Sequence, residues 1–97
     1  MLKLIFTSQM KRDTKRMRKR GKDMSKLDEV LQILVAQEPM PDMHYDHQLT
    51  GNMKDYRECH IEPDWLLIYR IFNDELILSA SGTGTHSEYF RMVKNHH

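Results

Sequence analysis

The stretch Tyr56 to Phe90, YRECHIEPDWLLIYRIFNDELILSASGTGTHSEYF, holds three strand-like segments separated by short turns. Trp65 to Ile71 is apolar on both faces apart from Arg70, the pattern of a central strand covered on two sides. Glu62-Pro63-Asp64 before it and Asn73-Asp74 after it carry turn residues, so Tyr56 to Ile61 and Glu75 to Ala80 are its expected neighbours in a meander. Arg57, His60, Asp64, Trp65, Arg70 and His86 fall at the edges of these segments. Polar side chains at strand ends can converge on one ligand while the strands hold them in place.

Working outward, Tyr45 to Leu49 pairs with Tyr56 to Ile61 as a hairpin across the loop Thr50 to Asp55. Pro39 and Pro41 mark a loop without helical or strand period. Before it, Met24, Leu27, Val30, Leu31, Leu34 and Val35 form an apolar stripe of helical period, with Ser25 and Asp28 as a capping box. A first helix runs from a Thr7 or Ser8 cap to about Arg20, stopped by Gly21, and buries Met10, Thr14 and Met17. Leu2 to Phe6 is β-prone. The order β-α-α-β-β-β-β predicts an α+β domain: an antiparallel-rich sheet of four to five strands with the two N-terminal helices packed on one face.

A chain of 97 residues, 39% apolar and 30% charged, is expected to form one domain over 1–97, with no apolar run long enough to span a membrane. Met1 to Phe6 is too short an apolar start for a secretory signal. The single cysteine, Cys59, has no disulfide partner, which fits a reducing cytoplasm, and it is expected to be a small buried residue rather than a nucleophile. Net charge is only +1, yet eight of the fifteen Lys and Arg lie between Lys11 and Lys22, with Asp13 the one acid among them. Lys11, Arg12, Lys15 and Arg16 belong to this basic stripe, which suits a polyanion or an acidic protein partner.

Alternation places Glu58 and His60 on one face of their strand and Arg57, Cys59 and Ile61 on the other. An acid beside an imidazole holds its tautomer, and an unperturbed histidine pKa of about 6.5 leaves both forms available near neutrality. His47, on the other arm of the hairpin, falls near Glu58 if the register is simple. A metal shell from His44, His47, Asp64 and His86 is the rival reading, but no helix aligns the first pair and no cysteine pair is present, so no metal or other cofactor is expected. Gly82-Thr83-Gly84-Thr85 lacks the lysine and the helix of a phosphate loop and reads as a flexible turn presenting His86. His96 and His97 are set aside from the chemistry.

The segments DHQLTGNMKDYRECHIEPDWLLIYR and TGTHSEYF closely resemble the YafQ branch of the RelE/ParE superfamily, toxins of bacterial type II toxin–antitoxin modules, and KDMSKLDEVLQIL resembles that family's second helix. The resemblance implies a RelE-like fold and a metal-independent, ribosome-dependent mRNA endonuclease. It gives functional roles to His47, His60, Asp64, Trp65, His86 and Phe90. His86 is then the expected general acid and His60 or Asp64 the base, with Glu58 orienting His60. Arg57 or Arg70 would neutralise phosphate charge, and Trp65 or Phe90 would stack on a base or pack the site. The implied partners are mRNA on the ribosome and a cognate DinJ- or RelB-like antitoxin, a DNA-binding protein through which alone the toxin meets operator DNA. Relatives often carry Asp at the position of Glu58 and Arg at that of Gly82, so a guanidinium worth a few kcal/mol in the transition state is missing, with Arg57 or Arg91 as substitutes. The same superfamily holds gyrase-binding ParE-like toxins, and a remnant acting only as antitoxin partner and co-repressor is a further alternative.

Overall fold

In the computed structural model, which describes residues 1–88, β1 (Lys3–Phe6) leads into α1 (Ser8–Lys19) and α2 (Met24–Val35). Strands β2 (His47–Gln48), β3 (Arg57–Glu62), β4 (Trp65–Phe72) and β5 (Ile77–Gly84) follow. Phe90, Arg91, His96 and His97 lie outside the described residues. One five-stranded sheet has the order β1-β5-β4-β3-β2, with β1 parallel to β5 and the remaining pairs antiparallel. Trp65–Phe72 is its middle strand, as its two-sided apolar pattern requires.

Local chemistry explains the element ends. The Thr7 hydroxyl accepts the Met10 N–H at 3.0 Å, capping α1, and donates to the Ser81 carbonyl at 3.0 Å, joining the β1–α1 corner to β5. Gly21, at φ +79°, takes the left-handed conformation that closes α1, with its N–H on the Arg18 carbonyl at 3.0 Å. The cap of α2 is Asp23, whose carboxylate accepts the Ser25 N–H at 3.0 Å, and not the expected Ser25–Asp28 box. A carboxylate at position 23 meets the first free amides, so the helix begins at Met24 and takes Ser25 inside.

Alternation sorts the two faces of the sheet. Cys59, Ile61, Trp65, Leu67, Tyr69, Leu78 and Ala80 point to one side, where Met10, Met17, Leu27, Val30, Leu31 and Leu34 of the helices cover them. Leu66 and Ile68 point to the other side and pack with Leu49, Met53 and Tyr56, sharing that face with Glu58, His60 and Arg70. The helices therefore occupy one face and leave the other to polar chemistry.

Two strand expectations need correction. β2 is only two residues long, because Tyr45 has left-handed backbone angles (φ 42°) that end any extended run before it. β5 starts two residues later than expected and runs four residues further, to Gly84, so Gly82-Thr83-Gly84 is strand and not a flexible turn. Its pairing with β4 slips between Ile68 and Tyr69, which face Gly82 and Ala80 and leave Ser81 as the extra residue of a bulge.

Thr83 explains the extension. It is fully buried, its hydroxyl donates to the Leu66 carbonyl at 2.6 Å and accepts the Trp65 indole N–H at 2.8 Å, and its own N–H donates to Asp13 of α1 at 3.1 Å. Asp13, 2% exposed, also accepts from Gln9 at 2.8 Å and Arg16 at 2.9 Å. These bonds hold strand and helix together where a free turn would leave buried polar groups without partners. Thr83→Val keeps the shape but leaves the Trp65 indole N–H without its acceptor. We expect a loss of about 1–3 kcal/mol, read from the urea midpoint of Trp65 fluorescence at unchanged m-value.

Candidate active site

The site is assembled on the open face of the sheet from β2, β3, the β3–β4 turn and the end of β5. Register places His47 opposite Glu58, and alternation places His60 beside it. The Glu58 Oε1 atom lies 3.9 Å from His47 Nε2 and 3.6 Å from His60 Nε2. The outer nitrogens are fixed by backbone. His47 Nδ1 is 2.9 Å from the Tyr45 carbonyl and His60 Nδ1 is 3.3 Å from the Pro63 carbonyl. A carbonyl only accepts, so each Nδ1 carries a proton, and the Nε2 atom of each ring is the one on the Glu58 side. Glu58 is thereby placed to balance the positive charge that either ring acquires on taking a proton.

His86 arrives from the other side. Thr85 and Glu88 form a capping box: the Thr85 N–H donates to Glu88 Oε1 at 3.1 Å, and His86 takes the first helical position. Asp64, in the turn before β4, accepts the His86 N–H at 3.2 Å and faces His86 Nδ1 at 3.1 Å. These two bonds from His86, the backbone one first, and its charge hold the Asp64 carboxyl below the ordinary aspartate range. The His86 and His60 rings are 5.2 Å apart between centroids. Two imidazoles, His86 beside Asp64 and His60 beside the Glu58 that it shares with His47, thus lie next to one another at a 56° tilt.

Glu88 ties this turn to the helix layer through Arg16 and Arg20, both at 2.9 Å. Burial pushes the Glu88 carboxyl up, but the Thr85 N–H, Arg20 and the Arg16 charge outweigh it, and its pKa lies below the ordinary value.

Among the predicted residues, His47, Glu58, His60, Asp64 and His86 converge. Arg57 does not. It lies on the opposite face, where its Nε donates to Asp46 at 3.2 Å and to the Tyr69 hydroxyl at 3.3 Å. Burial opposes its charge, yet Tyr69 and Asp46 hold the pKa above the usual guanidinium value. Trp65 is fully buried in the core with its indole N–H on Thr83, so it offers no face to a base. Lys11, Arg12, Lys15 and Arg16 lie on α1, across the sheet from the imidazoles, and Arg16 is engaged by Asp13 and Glu88. They do not line this site. Arg70 is on the site face, stacked over the Phe72 ring at 4.4 Å and near that of Tyr56 at 5.8 Å. Phe90 lies outside the described residues. Gly82 is buried, and its partner Ile68 also faces Glu58 across β3.

His44 Nδ1 binds the His60 carbonyl at 2.7 Å. The ligand atoms that come within 4.8 Å of one another, among the described residues, belong to Glu58, His60 and His86. Cys59 is inert: burial first, then the nearby carboxylates, push its thiol to about 12. Residues missed by sequence reasoning are Glu88, whose Thr-x-x-Glu spacing was the available signal, and Tyr45 and Asp46, which carried none.

The fold, with its imidazole–carboxylate cluster on the open sheet face, matches solved structures of small bacterial toxins. Residues 2–91 match the family model described as bacterial toxin of type II toxin–antitoxin system, YafQ, and the chain belongs to that family. It is 40% identical over 86 residues to the mRNA interferase toxin YafQ of Escherichia coli K12, covering 88% of this chain and 91% of that one. The E. coli DinJ–YafQ complex superposes with a TM-score of 0.84 at 36% identity, covering 93% of this chain and 99% of that one. A metal-bound toxin from Helicobacter pylori gives 0.86 at 38%, covering 91% and 98%.

A depressed aspartate pKa means that the folded state gains from the ionised form above the unfolded value and loses that gain as pH falls through the folded value. The Asp64–His86 tether is therefore expected to hold at neutral pH and to be lost progressively below about pH 4. An NMR titration checks this: the His86 amide should move with a midpoint below that of an unperturbed aspartate, and Asp64→Asn should remove the transition.

Proposed function

We propose that this chain, acting as a single domain in the cytoplasm, cleaves mRNA on the ribosome by metal-independent acid–base catalysis, and that a cognate antitoxin silences it. The reading rests above all on the facing His86–Asp64 and His60–Glu58 pairs, 5.2 Å apart between imidazole centroids.

RNA supplies its own nucleophile. His60 takes the proton of the 2′-OH at Nε2, the nitrogen 3.6 Å from Glu58, whose carboxylate balances the charge gained, and the 2′ oxygen attacks the adjacent phosphorus. His86, its Nδ1 proton held by Asp64, delivers a proton from Nε2 to the departing 5′ oxygen. The P–O5′ bond breaks, leaving a 2′,3′-cyclic phosphate and a free 5′-OH. Asp64 orients the acid through its Oδ1, which accepts the His86 N–H and faces His86 Nδ1. Arg70, the guanidinium on this face, neutralises phosphate charge in place of the arginine missing at position 82. His47 flanks Glu58 and steadies it. The E. coli relative solved with DinJ supports an antitoxin partner here. The exposed Lys11, Arg12 and Lys15 on the far face suit ribosomal RNA or the acidic portion of that antitoxin.

Expression of His86→Ala should abolish growth inhibition and the codon-phased cuts seen by primer extension, a loss of at least about 100-fold. Full toxicity in that variant, or DNA breaks with intact mRNA, would overturn the assignment. Arg70→Ala should slow cleavage about 100- to 1000-fold, as loss of a transition-state charge contact does, with Arg70→Lys between the two. An unchanged rate in Arg70→Ala would remove that residue from the mechanism.

A further inference from the structure

Tyr45 stands at the rim of the imidazole cluster in an unusual state. Its backbone is left-handed (φ 42°, ψ 54°), a conformation that aromatic residues rarely adopt, and the residue is 64% exposed. Its ring lies 4.6 Å from that of His47 and edge-on to that of His60 at 5.7 Å, between centroids.

The surroundings keep it there. The Tyr45 N–H donates to the Asp42 carbonyl at 3.0 Å, and its carbonyl accepts His47 Nδ1–H at 2.9 Å. Before it, His44 is bonded to the β3 backbone at His60. After it, both Asp46 carboxylate oxygens accept the Tyr69 hydroxyl at 2.7 Å, with Arg57 alongside. Anchors on both sides thus maintain a strained residue whose ring is turned outward to solvent beside the site. Strain retained at such a position points to function.

We propose that the Tyr45 ring is the stacking platform for an RNA base next to the scissile phosphate, and so a substrate-binding residue of the cleavage reaction. The inference rests on the nuclease reading. Single-stranded RNA is gripped by splayed bases stacked on exposed aromatic rings. Of the two aromatic residues that the sequence offered for this task, Trp65 is buried and Phe90 lies outside the described residues. Tyr45 supplies an exposed ring in contact with the His47 and His60 imidazoles. Its carbonyl also fixes the His47 tautomer, so one residue couples base docking to the orientation of the catalytic cluster.

The test compares Tyr45→Phe, which keeps the ring, with Tyr45→Asn, which removes it while accepting left-handed backbone angles. The readouts are kcat and KM on mRNA-programmed ribosomes, and the Kd for a short RNA with a 2′-deoxy nucleotide at the cleavage position. Asn should raise Kd and KM about 5- to 150-fold, the range for loss of one stacked base, with a much smaller change in kcat. Phe should stay near wild type, and the Tyr45 ring protons should shift upfield on RNA addition. Unchanged Kd and KM in Asn, or equal losses in Phe and Asn, would overturn the platform while wild-type cleavage still stood. Wild type and His86→Ala being equally unable to cut would remove the nuclease reading and the platform with it.

Discussion

The buried end of β5 is the constraint on which the rest of this molecule depends. Thr83 has no apolar reason to lie in a core, yet its three backbone and side-chain bonds to Leu66, Trp65 and Asp13 join the central strand, the last strand and α1 at one point. Each partner is buried, so each bond removed would leave an unpaired polar group away from water. The arrangement also determines where the chain leaves the sheet. Immediately after Gly84, the Thr85–Glu88 box turns it, and His86 is delivered to the opposite face.

The division of labour between the two faces follows from the period of a strand. Arg57 and Glu58 are adjacent in sequence, but one guanidinium braces Asp46 and Tyr69 at the core side while the carboxylate beside it serves the imidazoles. Burial and the Asp46 carboxylate push the Tyr69 hydroxyl well above the ordinary phenol range, which keeps it a neutral donor. Asp46 and His47 repeat the pattern on the neighbouring segment. Glu58 and His47 are therefore each backed, through a single peptide unit, by a side chain locked on the core face.

The sequence made much of this legible. Two-sided hydrophobicity identified Trp65 to Ile71 as central, one residue short of the observed strand, the helical stripes identified both helices, and alternation placed Glu58 with His60. The motif spacing resembled the family to which the chain belongs. Other features were hidden for physical reasons. Ser-Ala-Ser-Gly-Thr-Gly has the composition of a loop and becomes strand only through pairing with β4 and bonding to Asp13, contacts distant in sequence. The left-handed Tyr45 has no local signature, since tertiary anchors impose it on a residue that would not choose it. Trp65 looked like a ligand platform because an indole beside a turn is ambiguous until its burial is known.

The parallel pairing of β1 with β5 has a consequence for how the molecule comes into being. The Thr7 hydroxyl reaches the Ser81 carbonyl across a separation of 74 residues, and among the described residues β1 pairs only with β5. Contacts of such long range form late and slow folding. During synthesis the first strand and the helices must wait for the final strand, and His86 comes after even that. The acid of the proposed reaction thus joins its base only once the chain has emerged through His86, so a nascent fragment short of that residue carries no assembled site.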